Sequence, residues 1–120
     1  KGMISMSIGI YKIENLMTGK VYIGQSTNIE RRIKEHNSRA FQVNSGDYNS
    51  NLSRAIRKYG LDNFEINTIT SCSKEELDNL EIYYINYYQS YLKEKGYNMT
   101  LGGNSNGKGK LTFEELEQLT

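Results

Sequence analysis

The sequence predicts a small α/β (α+β) domain whose elements run strand, strand, helix, helix, strand, helix. Three observations predict it. Two β-branched and aromatic runs, at 8–13 and 21–24, flank a short segment marked by Asn15 and Gly19, as in a β-hairpin. Two stretches with apolar residues at helical spacing follow, each with a recognisable start or stop signal. An alternating run at 64–70 then precedes a third helical stretch. At 120 residues the chain fits one domain, able to bury roughly two-thirds of the surface its unfolded form exposes.

Residues 1–6 read as a leader without structural signal, which leaves a main domain at 7–103. In the hairpin, alternation puts Ile8, Ile10, Val21 and Ile23 on one face and Tyr11 and Tyr22 on the other, so two phenols share a face. Thr27-Asn28-Ile29-Glu30 is a capping-box pattern, and Ile29 with Ile33 starts an apolar stripe on a helix reaching about Asn37. Arg32 and His36, four apart, project from one face of that helix. After a polar loop, Leu52, Ala55, Ile56 and Tyr59 keep helical spacing, with Gly60 where a helix C-terminal glycine belongs. Ser73-Lys74-Glu75-Glu76 is a second capping box, opening a helix to about Tyr88 or Ser90 with the stripe Leu77, Leu80, Tyr84 and Tyr88. Glu81 lies inside that stripe, where an ionised carboxylate is costly unless paired or bound to a metal. Residues 104–110, rich in Gly, Asn, Ser and Lys, read as a linker, and 111–120 as the start of a truncated C-terminal helix.

Net charge is only +1, which argues against a polycation that binds by charge alone. The average hides a basic middle. Residues 28–60 carry seven Arg or Lys (Arg31, Arg32, Lys34, Arg39, Arg54, Arg57 and Lys58) against three acids, and 65–95 reverse the balance. Such a patch suits a phosphate backbone, although two solvated helical faces would give the same pattern. Cys72 is the single cysteine, and there is no charged-then-apolar leader and no long apolar run, so a reducing cytoplasm is the expected compartment, with no membrane. No Cys/His spacing suits zinc, and no glycine loop suits a phosphate cradle.

Hydrolysing a phosphodiester needs an activated water, positive charge on the non-bridging oxygens and help for the leaving oxygen. Arg32 offers a planar donor fork, His36 can relay a proton near neutral pH, Glu81 can hold a hard divalent cation, and a tyrosine can act as base if a cation favours its phenolate. Each residue taken alone has a plainer role. Tyr11 and Tyr22 would more often pack a sheet, Arg32 would pair with Glu35 or Glu30, the histidine would sit at a surface or helix end, and Asn98 would occupy a turn.

Together these residues resemble the GIY-YIG nuclease family. Gly9-Ile10-Tyr11 and Tyr22-Ile23-Gly24 match its two signature triplets, Arg32 its arginine, His36 the histidine four residues later in homing-type members, Glu81 its metal-binding glutamate and Asn98 its late asparagine. The resemblance covers about residues 8 to 103. Ser53-Arg54-Ala55-Ile56-Arg57-Lys58-Tyr59-Gly60, with Tyr97-Asn98 and Gly102-Gly103, resembles the homing and phage-type branch more than repair nucleases.

The resemblance implies a three-stranded antiparallel sheet flanked by about three helices, one Mg²⁺ or Mn²⁺ on Glu81, and cleavage of double-stranded DNA that leaves a 5′-phosphate. It implies Tyr11 as general base, Tyr22 orienting water or phosphate, Arg32 stabilising transition-state charge, and His36 as an alternative acceptor or a relay from Tyr11. It also implies a separate C-terminal DNA-binding region in the parent protein, weak sequence selectivity without it, and no protein partner. A repair or restriction nuclease of the same family and an inactive DNA-binding module remain the alternatives.

Overall fold

The structure, a computed structural model, describes residues 7–103. The expected leader, linker and terminal helix start lie outside the described residues. The first hairpin pairs β1 (Gly9–Asn15) with β2 (Val21–Ser26), antiparallel, in the register Tyr11 to Gly24 and Ile13 to Tyr22. Its turn is held by Asn15, whose side-chain oxygen accepts from the Met17 N–H at 2.8 Å, and by Gly19 at φ 80°. Helices α1 (Ile29–Ala40) and α2 (Asn51–Tyr59) follow, then β3 (Phe64–Ser71) and α3 (Leu77–Tyr88). The sheet order is β2-β1-β3, with β3 antiparallel to β1 and a register shift between Ile10 and Tyr11.

The alternation read from the hairpin is the one observed. Tyr11 and Ile13 pack with Ile29, Ala40, Leu52 and Ile56 beneath α1 and α2, and Tyr22 joins that side. Ile10 and Ile23 pack with Leu77 and Ile85 of α3, with Ile8 against them. The third helix therefore lies across the sheet from the first two.

Two caps differ in detail from the expected pattern. The first helix is capped by Asn28 rather than Thr27: its side chain accepts from the Arg31 N–H at 3.1 Å. Glu30 is drawn off to Ser7, accepting from its hydroxyl at 2.9 Å, so it is not available to close a box. At Ser73 the expected return bond forms, Ser73 N–H to Glu76 Oε1 at 3.0 Å, but it first opens a 3₁₀ turn at Lys74–Glu76. At Gly60, φ 83° and an N–H bond to the Ile56 carbonyl end α2 as the glycine predicts.

The outer edge of β2 is covered by the segment after α3. Val21 N–H donates to the Lys95 carbonyl at 3.1 Å, and Tyr97 N–H donates to the Val21 carbonyl at 2.9 Å. Gly96 makes this parallel bridge to Val21, and a Cβ there would come within 2.4 Å of Ser90 Cα and 2.5 Å of the Val21 oxygen. No described helix is long and apolar enough to cross a membrane.

Candidate active site

The hairpin fixes the centre of the site by a close approach between Tyr11 and Gly24. They face each other across the ladder, and a Cβ at Gly24 would lie 2.4 Å from the Tyr11 hydroxyl oxygen. Only glycine leaves room for the phenol to lie over β2. Tyr11 is 1% exposed, and its hydroxyl lies 2.6 Å from His36 Nε2. His36 is itself buried, contributed by α1 one turn after Arg32, and its ring meets Tyr22 edge-on with centroids 5.2 Å apart.

Beside this trio opens a cleft of about 230 Å³ whose walls include Tyr22, Arg32, His36, Asp47, Glu81 and Asn98. Glu81 arrives from the other side of the sheet. Its helix packs on the Ile10 and Ile23 face, and β2 is an edge strand, so the carboxylate meets the cleft beside that edge. Oε1 accepts from Gln25 Nε2 and from the Gly103 N–H, both at 2.9 Å. Gly102, at φ 91°, allows this wrapping; a Cβ there would lie 2.9 Å from Oε1. A carboxylate within an apolar stripe is thus held by polar partners, as its position in the sequence demanded.

The electrostatics separate the titratable groups. Burial pushes the Tyr11 phenol well above its ordinary value, Tyr22 and Glu81 add to this, and Arg32 opposes it. Burial also pushes Tyr22 up to about 12, with Glu81 adding and Arg32 opposing. Burial lowers His36 to about 3, helped by the charge of Arg32. Within the chain itself, both phenols are protonated and the imidazole neutral at pH 7. Arg32 sends NH1 to Glu35 Oε1 at 3.2 Å and lies 3.9 Å from Asp47 Oδ2, which Arg39 also reaches at 3.4 Å.

Of the six expected catalytic residues, Tyr22, Arg32, His36, Glu81 and Asn98 line the cleft, while Tyr11 stands behind His36 rather than at the wall. Asn98 is engaged with the backbone of β2. Its side chain accepts from the Ile23 N–H and donates to the Ile23 carbonyl, both at 2.8 Å, and Ser90 holds its oxygen at 2.7 Å. Sequence reasoning missed Asp47 and Gln25. Asp47 lies in a loop without periodicity, and Gln25 is the last but one residue of β2; neither carries a local signal of its role.

The expected DNA-contacting cations divide in two. Arg31, Lys34, Arg39, Arg54 and Lys58 are exposed on α1 and α2. Arg57 instead turns into the fold, donating NH1 to the Ala40 and Tyr48 carbonyls at 2.6 and 2.7 Å and stacking 3.9 Å over the Tyr48 ring. Its guanidinium ties α2 to the end of α1.

Comparison with known proteins agrees with this geometry. The GIY-YIG catalytic domain model matches residues 7–98. A protein of Enterobacteria phage T4 that carries the name putative endonuclease segD is 30% identical over 107 residues, covering 87% of this chain. The chain spans only 42% of that relative's length. Among solved structures, the catalytic domain of homing endonuclease I-TevI is similar with a TM-score of 0.64 at 28% identity, over 77% of this chain and 97% of that one. A glutamate-to-alanine variant of the same catalytic domain gives 0.66 at 29%, over 78% and 93%. With a three-stranded antiparallel sheet, flanking helices and both signature triplets in facing strands, the chain belongs to the GIY-YIG nuclease family, as a catalytic domain of the homing and phage type.

Proposed function

We propose that this domain is a DNA endonuclease that hydrolyses phosphodiester bonds with one divalent cation, Mg²⁺ or Mn²⁺, at Glu81. The observation that carries the reading is the cleft in which a guanidinium, a neutral imidazole, a phenol and a buried carboxylate converge. Among the described residues no group of three or more His, Cys, Asp or Glu could cage a metal. A single carboxylate in a water-accessible cleft still fits Mg²⁺, which keeps most of its ligands as water and phosphate oxygens. Such a cation supplies charge to the phosphate and to the leaving oxygen.

The chain's own residues supply the rest. Arg32 rests against Asp47, a carboxylate whose place a phosphate can take, so the guanidinium exchanges one anion for another as DNA enters. The Tyr11 hydroxyl and His36 Nε2 lie 2.6 Å apart. With Nε2–H donating to the phenol oxygen, Nδ1 is the ring nitrogen left to accept, and the negative charge of a bound phosphate would offset the burial and the Arg32 charge that hold the imidazole neutral. In this reading His36 Nδ1 accepts the proton released by the attacking water, and the Tyr11 oxygen, accepting from Nε2–H, stabilises the imidazolium that forms. We prefer this reading to Tyr11 acting alone as the base because the Tyr11 side chain is buried and its hydroxyl is engaged by His36. Tyr22, protonated at the cleft wall, donates a hydrogen bond to the water or the phosphate. Asn98 positions β2, and with it Tyr22.

Residues 7–103 form the catalytic unit in this proposal. Choice of DNA site falls to a separate region of a longer protein, and the domain alone has weak sequence selectivity. The test is nicking of supercoiled plasmid in Mg²⁺ or Mn²⁺. Glu81→Ala and Arg32→Ala are each expected to lower the rate by about 10²-fold or more. Absence of cleavage by the unaltered chain at every metal concentration sinks the proposal, and cleavage that survives both substitutions assigns the activity to a contaminant.

A further inference from the structure

A second cleft, of about 480 Å³, opens beside the first, and Tyr97 and Asn98 line both. Its charged wall residues are Lys20, Arg54, Lys58 and Lys93, with no acid among them. They come from separate places: the end of the hairpin turn, two successive turns of α2, and the segment after α3. Folding alone has therefore gathered four cations that the sequence scatters over more than seventy positions, and like charges crowded in this way oppose the compact state.

Arg32 in the first cleft has internal counterions, Glu35 and Asp47, which Arg31 and Arg39 of the same helix also reach. The four cations around the second cleft differ. Among the described residues none of them forms an ion pair with a carboxylate; Arg54 bonds the Asn51 amide, while Lys20 and Lys58 lie over the rings of Tyr97 and Tyr59. Unmatched positive charge in a groove lined with tyrosine rings suits a polyanion carrying flat, apolar parts.

We infer that this second cleft is a DNA backbone subsite, in which Lys20, Arg54, Lys58 and Lys93 hold the sugar–phosphate strand flanking the bond being cut. The inference rests on the endonuclease reading and adds a path to it: the strand leaves the first cleft past Tyr97 and Asn98 and enters the second. Lys20 and Lys93 lie outside the basic middle of the sequence, so only the fold identifies them as part of the grip. The contacts are to phosphates, so their loss weakens binding of all DNA sequences alike.

The test uses Arg54→Gln/Lys58→Gln and Lys20→Gln/Lys93→Gln, with Lys12→Gln/Lys74→Gln removing the same charge outside the cleft. Binding of a short duplex is followed by anisotropy without metal between about 50 and 200 mM salt. Plasmid nicking with metal gives KM and kcat separately. Each cleft pair is expected to lower the slope of log affinity against log salt by about 2, and to raise KM more than it lowers kcat. The control pair is expected to change neither. Equal effects from the control, or unchanged slopes in the cleft pairs, overturn the subsite while leaving the nuclease reading intact. Duplex binding that responds to the cleft pairs, in a chain that never cleaves, upholds the subsite and defeats the nuclease reading.

Discussion

The imidazole of His36 is kept neutral by its burial first and by Arg32 second, with Asp47 opposing and Arg39 assisting. Its value of about 3 lies below the ordinary 6.5, so between these limits the unfolded chain binds a proton that the folded chain does not. The stability this group permits is complete above about pH 6.5 and is lost as pH falls towards 3, by about 1.4 kcal/mol per pH unit. The urea midpoint is expected to fall between pH 6.5 and 5, above the range where most carboxylates titrate, and His36→Gln should flatten that fall. A variant with an unaltered slope shows that the imidazole is not the group responsible. At this scale the sequence was informative where a residue violated its surroundings: Glu81 within an apolar stripe declared itself. Asp47, a charged residue in a polar loop, violated nothing. The inward turn of Arg57 was equally hidden, because its target carbonyls on Ala40 and Tyr48 are set by tertiary packing.

Among the elements, β2 depends on a partner that is not a strand. The Asn98 side chain pairs with both backbone groups of Ile23, continuing the bridge that Gly96 and Tyr97 begin at Val21. Asn98→Ala leaves a buried donor and acceptor unmet, and is expected to cost about 2 to 3 kcal/mol in the denaturant midpoint and to speed exchange of the Ile23 amide. Full stability with activity lost would instead give Asn98 direct contact with DNA. Strand and helix types were legible because alternation and helical spacing are local properties, and Gly60 and Ser73 marked boundaries through their own chemistry. The role of Asn98 was not, since it needs Ile23, seventy-five positions away. Likewise Thr27 and Asn28 are both good caps, and nothing local chooses between them.

At the scale of the molecule, one sheet separates two apolar clusters, Tyr11 and Ile56 on one side and Ile10 and Ile85 on the other. Because β1 is central and contributes to both, neither cluster can be lost alone. Ile10→Ala and Ile56→Ala are each expected to cost about 2 to 5 kcal/mol, with helical and aromatic circular dichroism still lost in one coincident transition. Separate transitions would mean that the two layers fold independently. The order of elements and the faces of the two hairpin strands were visible in advance, whereas the position of Glu81 required knowing that β2 lies at the edge. The second cleft was invisible for the same reason: its walls come from segments adjacent only in space.

The amide of Asn98 also bears on how the protein behaves at high concentration. A bare edge strand is a template on which a neighbouring molecule can add its own strand, and β2 would offer the groups of Val21 and Ile23 for that purpose. The 95–98 segment occupies them all. The backbone of Lys95 and Tyr97 covers Val21, and the Asn98 side chain covers Ile23; its removal reopens that part of the edge and is expected to appear as turbidity on warming.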